Sequence, residues 1–270
     1  MSVRKAVFIT GAASGIGLGT AKRFAREGWF VGLADINAAG LKAALDAIGR
    51  ENAATYLLDV RDSAAWTDAL SIFAAASGGR LDILVNNAGV ASYGYIEEQS
   101  EDEIARQLDI NIKGVIAGAR AALPHLKKSP GSQLINVSSC ASLYGAPKLS
   151  VYAATKFAVR GLSEALEIEF SRFGIGVKCI MPWFVDTPIL DAGNQGSNEK
   201  MSDTLKQGNV PVYTVEECAG VIWNAAASKD LKHIVGARGR QLALLTRLFP
   251  GLVRGQMLKA EREGKVLGSN

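Results

Sequence analysis

Short apolar runs of strand length recur along the chain, and longer segments with a helical spacing of apolar residues separate them. This alternation predicts a parallel sheet with helices on both faces, because the chain must cross one face before each new strand begins. We therefore expect a single α/β domain with a doubly wound sheet. The runs predict about seven strands, at 3–10, 29–35, 54–60, 81–86, 132–138, 175–181 and 233–237.

Three helical segments are long and regular. One follows the first strand and continues to Glu27, a second runs from Glu101 to Lys127, and a third begins after Pro147. Near the carboxyl end, a stripe of apolar residues is interrupted at Pro250-Gly251, which predicts two short amphipathic helices there.

The composition is that of one globular domain. Of the 270 residues, 48% are hydrophobic and 21% are charged, so the chain can bury one large core. We find no signal-like leader and no apolar run long enough to span a membrane, and we expect a cytoplasmic protein. The three cysteines are scattered, as is usual in a reducing compartment, and the two histidines lie apart from other ligand residues. We therefore expect neither disulfides nor a metal site.

A glycine-rich turn joins the first predicted strand to the first helix. Gly11 permits the sharp turn, Gly15 lets the backbone approach a pyrophosphate, and Gly17 allows close packing of the helix. The free N–H groups at the start of the helix favour an anion. The turn is typical of dinucleotide binding, although its glycine spacing is not the G-x-G-x-x-G form.

The second predicted strand ends at Asp35, shortly after the glycine turn. An acidic group at this place hydrogen-bonds the ribose hydroxyls of the adenosine, and its charge repels the 2′-phosphate of NADP. We therefore expect NAD as the cofactor.

Tyr152 and Lys156 stand four residues apart in the helical segment after Pro147, so their side chains project from one face. An adjacent ammonium favours the phenolate, and lowering the phenol pKa from about 10 by roughly three units corresponds to about 4 kcal/mol. The spacing alone also fits an ordinary surface pair. Together with the glycine turn and Asp35, it predicts acid/base chemistry beside a nicotinamide.

Further motifs follow one another along the chain. They are Thr10-Gly-Ala-Ala-Ser-Gly-Ile-Gly17, Asp59-Val60, Asn86-Asn-Ala-Gly89, Asn111, Ser139, Tyr152-x-x-x-Lys156 and Pro182-x-x-Val-x-Thr187. In these motifs the chain resembles the short-chain dehydrogenase/reductase family over residues 3 to about 238. The resemblance implies a Rossmann-type NAD-binding catalytic domain over residues 1–240, with a substrate flap at 188–210. It leaves residues 241–270 as a helical extension packed on the same domain.

The resemblance also implies a role for each motif residue. Tyr152 would exchange a proton with the substrate oxygen, and Lys156 would lower the tyrosine pKa and bind the nicotinamide ribose. Ser139, selected over Ser138 by the family's separation from the tyrosine, would hydrogen-bond the same oxygen, and Asn111 would hold a water that relays the proton. The other implied cofactor-binding residues are Gly11, Ser14, Gly15, Ile16, Gly17, Asp35, Asp59, Val60, Asn87, Ala88, Gly89, Pro182, Val185 and Thr187.

The residue after Pro182 departs from the family, which usually has glycine where this chain has Trp183. The indole either lines an apolar substrate pocket or packs beneath the loop. We take Trp183, with Cys140, Tyr144 and Phe184, as candidate pocket residues, with Cys140 as a packed side chain and not a catalytic thiol. An indole in the pocket favours flat, hydrophobic substrates.

Two regions beyond the motifs are open to more than one interpretation. Residues 191–198 are rich in small polar residues, which suits either a flap over the substrate or a surface loop. From Lys232 onward the chain has eight Lys and Arg against two Glu, so the basic excess is local. The helices there pack on the body or on a partner subunit, or their apolar stripe covers an apolar substrate or makes peripheral contact with an anionic membrane. We expect no nucleic-acid partner.

The sequence thus predicts an NAD-dependent oxidoreductase that interconverts a small-molecule secondary alcohol and a ketone. The expected substrate is lipophilic, of a steroid-like, terpenoid or aromatic kind. Two alternatives stand beside it: a reductase of carrier-bound or CoA-bound 3-oxoacyl chains, and a non-catalytic NAD-binding sensor. The family resemblance further implies a homodimer or homotetramer built on the helices after residues 101 and 150.

Overall fold

The computed structural model describes residues 4–193 and 200–264. Their strands form one parallel sheet in the order β3-β2-β1-β4-β5-β6-β7, so the predicted doubly wound α/β fold is confirmed. The strands are β1 (Ala6–Thr10), β2 (Phe30–Asp35), β3 (Ala53–Leu57), β4 (Ile83–Asn86), β5 (Gln133–Val137), β6 (Gly176–Pro182) and β7 (Lys232–Val235).

Helices cover both faces of the sheet. In chain order they are α1 (Gly15–Arg26), α2 (Ala38–Ile48), α3 (Ser63–Ala76), α4 (Glu101–Leu108), α5 (Gly114–Leu126), α6 (Ser150–Ser171), α7 (Met201–Gln207), α8 (Val215–Ala225), α9 (Ala237–Leu248) and α10 (Pro250–Arg262). One apolar core lies between the sheet and α1, α2 and α8, and a second lies between the opposite face and α3, α5 and α6. Two such layers are what a sheet that is buried on both faces requires.

An aromatic cluster stabilises the second core beneath the β1–β3 half of the sheet. The Phe8 ring lies 5.2 Å from the rings of both Tyr56 and Phe73, and Trp66 is fully buried beside them. The Trp66 indole N–H donates to the Val60 carbonyl at 3.0 Å. This bond ties α3 to the loop after β3, which is one of the loops predicted to contact the cofactor.

The predicted second long helix, 101–127, is not continuous. It divides into α4 and α5, which a π-helical turn joins at Asp109–Lys113. The turn places Asn111 fully inside the protein. π-helical turns often occur at functional sites because the extra residue reorients a side chain.

The other boundaries differ from the predicted ones by a few residues. The fourth strand, for example, begins at Ile83 and not at Leu81. The apolar stripe near the carboxyl end is interrupted at Pro250 as predicted and forms α9 and α10.

Candidate active site

A large cleft opens where the strand order reverses. The carboxyl ends of β1 and β4 are adjacent there, and doubly wound sheets bind ligands in the crevice above such a point. The cleft has a volume of about 1360 Å³. Because a pocket for one drug-sized ligand measures roughly 300–1,000 Å³, this cleft has room for a cofactor and a second molecule.

The glycine turn between β1 and α1 forms one wall of the cleft. Gly11 has a φ of +66°, which favours glycine, and a Cβ on Gly17 would lie 2.1 Å from the Gly11 carbonyl oxygen. The first turn of α1 can therefore lie against the glycine turn only because residue 17 has no side chain. Ser14, Gly15 and Ile16 line the cleft at the start of this helix, where free N–H groups attract a phosphate.

Asp35 lies at the end of β2 in the same cleft. Its carboxylate accepts the backbone N–H of Ala13 at 3.1 Å and that of Asn37 at 3.0 Å. These bonds orient the carboxylate beside the glycine turn, as binding of an adenosine ribose requires. The glycine cradle and this carboxylate together fit a dinucleotide.

The Thr10 hydroxyl joins the two strands at the centre of the cleft. It accepts the backbone N–H groups of Asn87 and Ala88, each at 3.0 Å. The predicted residues Asn87, Ala88 and Gly89 line the cleft as a result, and so do Asp59 and Val60 after β3 and Pro182, Val185 and Thr187 after β6. Gly17 is the one predicted cofactor-binding residue that does not line the cleft. It packs behind the glycine turn, against Gly11 and Asn87.

The two adjacent serines after β5 have different surroundings. Ser138 is buried, and its hydroxyl donates to the Lys156 carbonyl at 2.7 Å, which fastens α6 to the end of β5. Ser139 lines the cleft in an extended conformation, and its hydroxyl accepts the Ala141 N–H at 3.1 Å. The geometry therefore distinguishes an anchoring serine from one that faces the cleft beside Tyr152.

Tyr152 and Lys156 lie on the cleft side of α6, in buried surroundings. Burial raises the pKa of the Tyr152 phenol to about 12, while a hydrogen bond with Ser139 acts in the opposite direction. Burial likewise lowers the pKa of the Lys156 ammonium to about 8. In this arrangement burial is the largest influence on the Tyr152 phenol and raises its pKa, which is opposite in direction to the predicted lowering by Lys156.

The position of the Lys156 ammonium explains part of this balance. Its Nζ donates to the Val137 carbonyl at 3.1 Å and lies 5.6 Å from the centre of the Tyr152 ring. The ammonium is thus held by the end of β5 at a distance from the phenol. Burial thus favours the uncharged form of both groups.

Asn111 is held rigidly in the π-helical turn. Its side chain accepts the Val90 N–H at 2.9 Å and donates to the Val90 carbonyl at 2.8 Å and to the Thr155 hydroxyl at 3.1 Å. A Cβ added to Gly89 would lie 3.2 Å from Asn111 Oδ1 and 3.4 Å from Lys156 Nζ. Gly89 therefore packs close to both groups, and a side chain at this position would crowd the amide oxygen and the ammonium.

The opposite end of the cleft is apolar. All four candidate pocket residues, Cys140, Tyr144, Trp183 and Phe184, line it. The Trp183 and Phe184 rings meet edge to face at 5.3 Å. Trp183 lines the cleft and also packs against two apolar clusters, so lining a pocket and packing beneath the loop are both properties of this indole. Burial raises the pKa of the Cys140 thiol to about 12, and its Sγ contacts the Met181 carbonyl at 3.3 Å. Cys140 is therefore an inert wall residue.

The apolar stripe near the carboxyl end divides between two faces. Leu242 and Leu245 of α9 and Val253 and Met257 of α10 line the cleft. Four other members of the stripe are more than two fifths exposed: Leu248, Phe249, Leu252 and Leu258. One half of the stripe thus covers the substrate end of the cleft, and the other half faces solvent.

The predicted flap is described in part. Residues Pro188–Asp191 form a short 3₁₀ helix that lines the cleft, and Met201 of α7 lines it as well. The turn-rich stretch 191–198 falls mostly on residues 194–199, which lie outside the described residues.

Sequence reasoning missed several residues of the site. The Tyr95 hydroxyl donates at 2.6 Å to Glu261, which follows the cleft-lining Ala260, and no local pattern connects two residues so far apart in the chain. Glu103 and Arg106 of α4 also line the cleft. Thr155, which holds Asn111, could have been found as a polar residue on the inner face of the Tyr-x-x-x-Lys motif.

Within residues 4–193 and 200–264, no three His, Cys, Asp or Glu side chains are grouped so that they could hold a metal ion. Across the same described part of the chain, no helix is long and apolar enough to cross a membrane.

Comparison with known proteins agrees with this geometry. The family model for short chain dehydrogenase matches residues 5–198. The chain is 39% identical to 2,5-dichloro-2,5-cyclohexadiene-1,4-diol dehydrogenase from Sphingobium indicum, over 86% of this chain and 92% of that protein. It is 38% identical to 3-alpha-(or 20-beta)-hydroxysteroid dehydrogenase from Mycobacterium tuberculosis, over 70% and 72% of the two chains.

A solved structure is also similar over most of its length. The 3-ketoacyl-(acyl-carrier-protein) reductase from Brucella melitensis, complexed with NADH, superposes with a TM-score of 0.77 at 29% identity. The likeness covers 88% of this chain and all of that one. From the family model, the relatives and the fold, the chain belongs to the short-chain dehydrogenase family and is an oxidoreductase.

Proposed function

We propose that the protein is an NAD-dependent dehydrogenase that interconverts a lipophilic secondary alcohol and the corresponding ketone. The observation that carries the proposal is the placement of Ser139, Tyr152 and Lys156 in one cleft with the glycine turn and Asp35. The four candidate pocket residues and the leucines, valine and methionine of α9 and α10 give the substrate end apolar walls, beside the polar Arg238, Gln241 and Gln256 of the same helices. Such walls suit a molecule with a hydrocarbon body.

Each residue at the reacting end has a role in proton transfer. When bound, the nicotinamide takes up or supplies the hydride. The Tyr152 phenol gives a proton to the substrate oxygen in reduction and accepts it in oxidation, and the Ser139 hydroxyl hydrogen-bonds the same oxygen. The Lys156 ammonium would hold the ribose and exchange protons in the direction of Asn111, which lies with it beside Gly89.

A carrier-bound 3-oxoacyl chain is the second candidate substrate. The likeness to the Brucella melitensis reductase favours it. The α9–α10 segment argues against it, because these helices cover the substrate end where a long acyl chain on a carrier would enter. Turnover of acyl-carrier-protein substrates, compared with free ketones under NADH, decides between the two.

The proposed homo-oligomer is supported by an apolar strip on α5 and α6. Ile116, Phe157 and Ile168 are 37%, 42% and 74% exposed, and the two residues of α6 lie on one face of that helix. These are the helices that the family resemblance implies for subunit contact. The three cysteines are free and buried, which suits the proposed cytoplasmic location.

The acid/base roles predict opposite pH profiles for the two directions of the reaction. Oxidation of an alcohol needs a proton acceptor, so we expect its rate to rise as the buried pair loses a proton near pH 8, while ketone reduction falls over the same range. Steady-state kcat/KM on a panel of cyclohexanol, a terpene alcohol and a hydroxysteroid measures both profiles. Tyr152→Phe should lower kcat/KM by roughly 10²–10⁴-fold at every pH.

The role of Lys156 is tested by the pH at which the rate of alcohol oxidation rises. In Lys156→Met the remaining group is a phenol with a raised pKa, so the rise in oxidation should move to higher pH. The control is Lys42→Met, which removes an exposed lysine from α2. If Lys156→Met left the midpoint unchanged, Lys156 would have no part in the proton transfer.

Asp35 predicts a preference between cofactors. We expect NADH to bind roughly tenfold or more tightly than NADPH, a difference of about 1.4 kcal/mol, because the 2′-phosphate meets the carboxylate. Asp35→Ala should narrow the ratio, whereas Asp46→Ala on the exposed side of α2 should leave it unchanged. Quenching of tryptophan fluorescence measures the affinities. Equal affinities in the unaltered protein would contradict the assignment.

The apolar strip predicts the effect of a charge on assembly. Ile168→Glu should lower the molar mass measured by light scattering after size exclusion, because a carboxylate in an apolar interface is not solvated. Ile72→Glu, on the exposed side of α3, is the matched control. A monomeric parent protein would rule out the proposed oligomer.

We also propose peripheral membrane contact by the outer face of α9 and the turn into α10. Leu244, Leu248, Phe249 and Leu252 are each more than half exposed, and Arg247 is exposed on the same side. We expect co-sedimentation with phosphatidylglycerol-containing vesicles that Phe249→Asp weakens and Ile72→Asp does not. Equal sedimentation of the two variants would exclude this contact.

A further inference from the structure

The last two helices, α9 and α10, form a hairpin that lies across the substrate end of the cleft. Leu242 and Leu245 project into the cleft from one helix, and Val253 and Met257 project from the other, each pair at helical spacing. Val253 is only 4% exposed, although α10 is otherwise largely open to solvent. The inner face of the hairpin is therefore buried by the cleft itself.

The outer end of the hairpin is attached to the opposite lip of the cleft. The Tyr95 hydroxyl donates to Glu261 Oε1 at 2.6 Å, and the Lys148 ammonium lies 5.1 Å from the centre of the Tyr95 ring. The Lys148 carbonyl accepts the Gly94 N–H at 2.9 Å. Lys148 lies just before α6, which carries Tyr152, so the attachment connects the hairpin to the entry of the catalytic helix.

The backbone at this attachment is strained. Lys148 has a φ of +62°, which a residue with a side chain seldom adopts. Such a conformation costs free energy and persists only where the surroundings impose it. At this lip, the surroundings are the Gly94 hydrogen bond and the two tyrosine rings beneath the ammonium.

The surface hydrogen bond is too weak to hold the hairpin alone. One hydrogen bond to a partly exposed hydroxyl contributes little net free energy, because water competes for both partners. The remaining attachment comes from the start of α9, where the Ala237 N–H donates to the Tyr213 hydroxyl and Gly239 packs against Cys140, and from the apolar inner face that lines the cleft. A hydrocarbon body in the cleft therefore strengthens the closed position, and the Tyr95–Glu261 bond governs how readily it opens.

We propose that the hairpin is the specificity wall of the substrate site, with Val253 and Met257 in contact with the apolar body of the substrate and the Tyr95–Glu261 hydrogen bond as its latch. This proposal rests on the proposed function in one respect only, namely that the group of the substrate that reacts at Tyr152 is an alcohol or a ketone. It commits to a flat, lipophilic alcohol or ketone whose hydrocarbon part lies against the hairpin, away from Tyr152.

A binding experiment tests the wall without turnover. The probe is prodan, a lipophilic naphthyl ketone whose emission shifts to the blue in apolar surroundings. We expect the protein to bind it and Met257→Asp to weaken binding roughly tenfold or more, because the new carboxylate faces the cleft. Leu258→Asp is the matched control, since it puts the same charge on the next residue of α10, which is 42% exposed, and it should leave the affinity within about twofold.

Thermal melting of both variants guards against loss of the fold. If Met257→Asp melts lower than Leu258→Asp, Met257→Ser replaces it, with an expected loss of affinity of roughly threefold. The proposed wall would be wrong if the Met257 and Leu258 variants bound prodan with equal affinity. It would also be wrong if the parent protein did not bind prodan. Prodan binding without any oxidation of secondary alcohols would instead overturn the proposed function and leave the wall standing.

The latch is tested by dissociation rates in stopped flow. Tyr95→Phe and Glu261→Ala should each release prodan faster by a few fold, and the double variant should be no faster than either, since both remove the same bond. Glu261→Gln keeps an oxygen that can accept the bond and should behave like the parent protein. Additive effects of Tyr95→Phe and Glu261→Ala would show that the two side chains act separately, and the latch would then be wrong.

Discussion

The close approach of α1 to the glycine turn is the constraint on which the site depends. A side chain on Gly17 would lie within 2.1 Å of the Gly11 carbonyl oxygen, so only glycine lets the helix begin directly above the end of β1. From that position α1 packs on α8 and on the sheet, and its first residues line the cleft. The Thr10 hydroxyl then joins β1 to the loop after β4, which completes the crevice at the reversal of strand order.

The catalytic pair is placed by contacts that are themselves buried. Ser138 holds the backbone of α6 at Lys156, Val137 holds the ammonium, and Thr155 connects α6 to Asn111. Burial raises the pKa of Tyr152 and lowers that of Lys156, so the uncharged form of each group is favoured.

The substrate end is assembled from distant parts of the chain. Trp183 follows β6, Tyr144 precedes α6, and the hairpin follows the last strand, yet all three line one wall. The apolar lining and the reacting groups are therefore supplied by separate segments. This separation lets the hairpin and the loop after β6 set the substrate while the reaction stays the same.

Most of the fold could be predicted from local sequence patterns, because the spacing of apolar residues in strands and helices and the glycine turn each involve only a few adjacent residues. The seven strands and the hairpin break at Pro250 were predicted in this way, as were the glycines, Asp35 and the Tyr152–Lys156 pair as neighbours in one cleft. The π-helical turn at Asn111 was missed, because its extra residue leaves the helical pattern of the segment nearly intact.

The sequence by itself determined the family, the sheet and which residue types meet the cofactor, since each follows from short-range spacing. The tertiary structure alone decided the protonation balance of Tyr152 and Lys156, because the burial that sets it comes from many segments at once. It also decided which half of the carboxyl-terminal stripe faces the cleft and that Tyr95 meets Glu261. These contacts join residues far apart in the chain, and only the packed fold brings them together.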